Sequence, residues 1–143
     1  MAAQDWDLSI TQVSPSFTYS PAPPAGTTGY ELATNKKITL AVDPSISGAV
    51  ITQVWVYADD GNNQKTGSPL GTWTSSANGT NKVDVNHNGT KIYEVKGKND
   101  GTVEIKDTES QDGDEKYHFG AQVTVGTTPY DGDPEMINKG RIL

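Results

Sequence analysis

The chain has 143 residues, 33% of them hydrophobic, a formal charge of −7 and no cysteine. That length suits one domain with a lean core. The charge repels nucleic acid unless basic residues cluster, and the missing thiols exclude disulfides, thiol catalysis and cysteine-bound metals.

No basic start followed by an apolar run marks a signal peptide, and no apolar stretch of about 18 residues marks a membrane span. The compartment stays open. Fifteen glycines and eight prolines punctuate the chain, and no long stripe of period 3.6 runs through it. Short strands are therefore expected throughout.

Residues 4–13 open with Trp6, Leu8 and Ile10 alternating with Asp7 and Ser9, the period of a strand with one buried face. Residues 14–29 carry Pro15, Pro21, Pro23 and Pro24. Proline fixes φ and removes a ladder donor, so this stretch reads as an extended arm or edge segment, with Phe17 and Tyr19 placed to pin it to the body. An arm that reaches a neighbouring subunit and an arm that covers its own domain are both compatible with it. Lys37–Val42 is a strand with Ile38, Leu40 and Val42 inward. Asp43-Pro44 and Ser47-Gly48 close it.

The segment Val50–Ala58 is followed by Asp59-Asp60-Gly61, a polar loop and Leu70-Gly-Thr-Trp73. If Ala58 faces Leu70, then Val54, Val56, Leu70 and Thr72 share the inner face. Trp55 and Trp73 then become cross-strand partners on the outer face, their Cβ atoms roughly 5 Å apart. Such a patch, with Tyr57 beside it, is a candidate interaction site, because large exposed apolar patches commonly are; cover by the arm is the plainer reading. Further on, Lys82–Val85 and Lys91–Lys96 flank an Asn88-Gly89 turn, and Asn99-Asp-Gly101 returns the chain into Thr102–Lys106. Ile92 and Val95 differ in parity, which predicts a bulge or a short strand. After the acidic loop Asp107–Glu115, Tyr117, Phe119, Ala121, Val123 and Val125 alternate along one buried face, with His118, Gly120, Gln122 and Thr124 on the other. A turn-rich loop, 127–133, leads to a short final strand from Pro134 to Ile137 and a tail, 138–143.

Two segments resemble bacterial immunoglobulin-like domains. One is Val54, Val56, Tyr57, Asp60-Gly61 and Leu70-Gly71-Thr72, departing from the pattern by the longer loop 62–69. The other is the Asp/Gly turn leading into Tyr117-His-Phe-Gly-Ala-Gln-Val123. Together they span about half the chain. The resemblance implies an all-β, antiparallel sandwich of about seven strands, with a proline-rich N-terminal arm (1–29), a body (30–137) and a tail (138–143) as one domain. It also implies that Tyr117, near the start of the penultimate strand, bonds back across a corner.

Candidates for chemistry are few. His87, in a turn, and His118, on an outward strand face, have no local partner pattern for nucleophilic catalysis. Asp107, Glu109, Asp112 and Asp114 crowd an oxygen-rich loop that calcium would suit, but the Asp-x-Asp-x-Asp-Gly frame is missing. Plain solvated turns account for the same residues. Asn78-Gly-Thr and Asn88-Gly-Thr match the glycosylation sequon, although turns use Asn-Gly without it. Lys36-Lys37 and Lys96-Gly-Lys98 sit beside strands as solvated charges. The expectation is a non-catalytic structural or adhesive protein-interaction module, such as a surface, filament or phage-particle component, with self-association through the arm, no required cofactor and no nucleic-acid partner. The alternative is a carbohydrate-binding module or lectin stacking sugars on Trp55 and Trp73.

Overall fold

The computed structural model describes residues 5–25, 29–75, 81–108, 115–132 and 135–139. Among these residues there is no helix. Twelve strands are present: β1 (Trp6–Gln12), β2 (Thr18–Ser20), β3 (Tyr30–Leu32), β4 (Lys37–Val42), β5 (Ala49–Asp59), β6 (Lys65–Thr74), β7 (Lys82–His87), β8 (Thr90–Gly97), β9 (Val103–Asp107), β10 (Glu115–Val125), β11 (Thr128–Asp131) and β12 (Glu135–Lys139). They form two six-stranded sheets stacked as a sandwich. Sheet A has the order β2-β1-β4-β9-β8-β7; sheet B has β3-β12-β10-β5-β6, with β11 on β10.

The expected seven strands are thus too few. Part of the excess lies in and just after the arm, which is not an unpaired extension. Its prolines exclude long ladders but allow short pairings at sheet edges. β2 pairs antiparallel with β1 at the rim of sheet A, and β3 pairs parallel with β12 at the rim of sheet B. Tyr19 is buried edge-on against Phe119, with ring centroids 5.7 Å apart, and Trp6 meets Tyr30 at 5.2 Å. Phe17, half-buried, lies over Gly132, where a Cβ would come within 2.4 Å of its ring. Phe17 and Tyr19 therefore pin the arm as their alternation suggested.

β10 lies at the middle of sheet B between β12 and β5. Tyr117, Phe119, Ala121 and Val123 are buried toward the core, following the predicted parity. Opposite them β5 carries a bulge: Gln122 pairs with Gln53 but Val123 with Ile51, so Thr52 is the extra residue. That single insertion lets Ile51 and Val54, of opposite parity, both face inward. The parity conflict in β8 is resolved the same way. Val85 pairs with Tyr93 and Asn86 with Lys91, leaving Ile92 as the bulged residue. Where β6 of sheet B approaches β7 of sheet A, a Cβ on Gly71 would lie 2.9 Å from Val85 Cγ2. The glycine of the Leu-Gly-Thr sequence is what lets the two sheets close there.

Phe119 is fully buried at the centre of this core. Phe119→Ala should cost about 3–5 kcal/mol of stability, the range for deleting a buried ring. Urea denaturation would measure it, and an unchanged midpoint would contradict the inward parity of β10.

Candidate functional site

The outer face of sheet B takes its side chains from the registers of β5. In β5–β6 the pairing is Val54 with Trp73, Trp55 with Thr72 and Val56 with Gly71, then it slips, so that Ala58 meets Thr66. The slip lies within residues 67–70, which the positive φ of Gly67 (71°) helps to bend. The expected register of Ala58 against Leu70 is therefore wrong by one residue at the tryptophans, and one residue exchanges the faces. Trp73 points inward, 2% exposed, with its Nε1 donating to the Asn81 carbonyl at 3.0 Å. Trp55 remains on the outer face, half-buried. The two are not cross-strand partners, and the expected two-tryptophan platform does not exist.

What stands on the outer face is Trp55 with Tyr57. Trp55 is paired with Gly120 of β10, and its indole lies directly over that glycine: a Cβ there would fall 2.5 Å from Nε1. Tyr57 is two residues on, with Lys65 Nζ 4.5 Å from its ring centroid. Burial, then the Asp131 charge, raise the Tyr57 hydroxyl above its ordinary pKa. Gln122 donates to Asp131 at 2.9 Å and accepts from Thr52 at 2.8 Å, giving the aromatic pair a polar border.

Both histidines lie at one end of the sandwich, and neither is a plain surface residue. His118 has the outward parity expected of it but is only 4% exposed. It pairs with Tyr57, which places Asp59 as its diagonal neighbour, and its Nε2 meets Asp59 Oδ1 at 2.7 Å. The other oxygen of Asp59 accepts the Gly61 amide at 2.8 Å. Burial alone would raise the Asp59 pKa. Hydrogen bonds from His118 and the Gly61 and Asn63 amides, with the charge of His118, outweigh it, and the carboxyl sits below its usual value. His87 ends β7, its ring edge-on to Tyr117 at 5.7 Å. The Tyr117 hydroxyl donates to Glu115 at 2.9 Å and lies 3.2 Å from His87 Nδ1, so that nitrogen is the donor of the pair. Tyr117 thus ties sheet A to sheet B through side chains of β7 and β10. Asp59, Gly61, His87, Asn88, Glu115, Lys116 and Tyr117 line an open cleft of ≈440 Å³.

The acidic candidates do not come together as a described site. Asp107 is fully buried at the end of β9, where its backbone accepts from Asn35 and donates to Lys36. Glu109, Asp112 and Asp114 lie outside the described residues, as does the Asn78 sequon. Among the described residues, no three His, Asp or Glu side chains converge on a point where a metal ion could bind, and no helix is long and apolar enough to cross a membrane. Compared with protein-family models and with curated proteins, the chain matches none.

Two expectations follow from this geometry. A group whose folded pKa is depressed adds stability above its unfolded pKa and loses it as pH falls through the folded value. Asp59→Asn should therefore destabilise the protein at neutral pH, and the gap to wild type should close only below about pH 4, the ordinary carboxylate range. Urea melts across that range would show it, and a gap independent of pH would contradict an ionised Asp59. Gly120→Ala should displace the Trp55 ring, cost about 1–3 kcal/mol as overpacking does, and red-shift the tryptophan emission.

Proposed function

We propose that the chain is a non-catalytic structural or adhesive module, an immunoglobulin-like sandwich that contacts protein through the outer face of sheet B. The strand order supports the immunoglobulin-like reading. β4, β9 and β8 lie side by side in one sheet, as strands B, E and D do. β5, β10 and β12 form the other, as C, F and G do, with β6 added beyond β5. The antiparallel β4–β9, β5–β10 and β10–β12 pairs agree with it.

The observation that carries the function is the pair Trp55 and Tyr57, partly buried but open to solvent side by side on a broad sheet face, with a cation over one ring. Aromatic residues are enriched where proteins meet, and a central Trp is a common hot spot. Burial of Trp73 favours protein over sugar here, since it removes the second ring of the stacking platform.

Trp6 and Trp73 are 6% and 2% exposed, so quencher-accessible indole emission reports on Trp55. Acrylamide quenching should fall as protein concentration rises, while simple sugars change nothing. Trp55→Ala should abolish the concentration dependence. Quenching that ignores protein concentration but responds to a glycan would reverse the choice in favour of carbohydrate.

A further inference from the structure

β1 occupies an unusual place for a first strand. It is inserted between β2, its antiparallel hairpin partner, and β4, with which it runs parallel. A parallel pair cannot be joined by a tight turn; the chain must leave sheet A, visit β3 in sheet B and return. The residues that take it out of the hairpin are Pro21-Ala-Pro-Pro24, which form no strand. Proline fixes φ and removes ladder donors, so this segment joins neither sheet. One attachment of the segment is the Pro21 carbonyl, which accepts from the Tyr30 hydroxyl at 2.8 Å.

The hairpin is nevertheless part of the core. Trp6, Leu8, Ile10 and Tyr19 are all buried in the same cluster as Ile38, Leu40, Tyr30 and Phe119. Withdrawing it would put both apolar surfaces into water, so the slot beside β4 has to be filled. The one segment certain to fit it is the same hairpin from a second copy.

We propose that the β1–β2 hairpin is exchangeable: it fills the slot beside β4 of a second copy of this chain, with Pro21–Pro24 as the hinge. Closure within a chain and closure between chains make the same contacts. Hinge conformation and protein concentration then decide between them, as in domain swapping. This exchange involves sheet A and does not depend on the Trp55 face of sheet B.

Ser9 and Ala41 are register partners across β1 and β4, at a spacing of about 5 Å that a disulfide can bridge. The chain has no cysteine of its own, so a Ser9→Cys copy and an Ala41→Cys copy carry one thiol each. Refolded together and oxidised, they should form a disulfide-linked heterodimer on a non-reducing gel. Its yield should rise with protein concentration and exceed by at least tenfold that of a mismatched Ser9→Cys and Lys98→Cys pair. A heterodimer no more abundant than the mismatched control at every concentration would overturn the exchange. The double variant in one chain shows that the pair can close, and Asp7→Cys with Thr39→Cys, the next outward register partners, repeats the test at a second position. Loss of exchange would leave the quenching behaviour of Trp55 untouched, so the two readings fail separately.

Discussion

The pairing of β5 with its two neighbours is the constraint on which the rest of sheet B depends. Side chains alternate faces along a strand, so every register choice is also a choice of face. The bulge at Thr52 brings Ile51 into the core alongside Val54 and Val56. The slip toward β6 sends Trp73 inward and leaves Trp55 out. The same pairing sets Trp55 over Gly120 and brings His118 diagonal to Asp59. Fold stability, the aromatic face and the buried Asp59–His118 hydrogen bond are thus consequences of one set of backbone hydrogen bonds.

Glycine acts at close approaches as well as at turns. Gly120 has no Cβ because an indole occupies that space, and Gly71 has none because Val85 of the facing sheet does. The first contact holds the half-buried Trp55 ring in one place, and a ring seated this way would lose little freedom if a partner covered it. The second keeps β6 tight against β7, where the sandwich would otherwise gape.

The acidic character of the chain is distributed by role. Asp59 is tied to His118 inside the sheet. Glu94 meets Lys82 of the neighbouring strand and Lys91 of its own, and Glu104 holds Lys37 of the neighbouring strand at 2.7 Å. Such exposed pairs contribute little stability individually. On sheet A like charges stand directly opposite each other, Lys37 with Lys106, Lys82 with Lys96 and Asp84 with Glu94, and the ion pairs offset that repulsion.

Alternation alone determined a good deal: the all-β class, the inward set of β10, the anchoring by Phe17 and Tyr19, and a backbone irregularity at Ile92. These are local properties, carried by neighbours a few residues apart. Turn signals made the hairpin partners legible, but not the register of β5 on β6 or the pairs between strands distant in sequence, because the polar stretch from Asn62 to Pro69 contains no apolar rhythm to fix its register. Hence local pattern puts Trp73 on the wrong face, and it gives His118 its outward face without naming Asp59 as its partner. Only the tertiary structure decided that Asp59 would close over that histidine, that His87 and Tyr117 would meet across two sheets, and that the proline-rich arm would supply β2 as an edge strand of sheet A while Tyr30–Leu32, just past it, edges sheet B. Each of these joins residues distant in sequence, and nothing in the local pattern of either partner names the other.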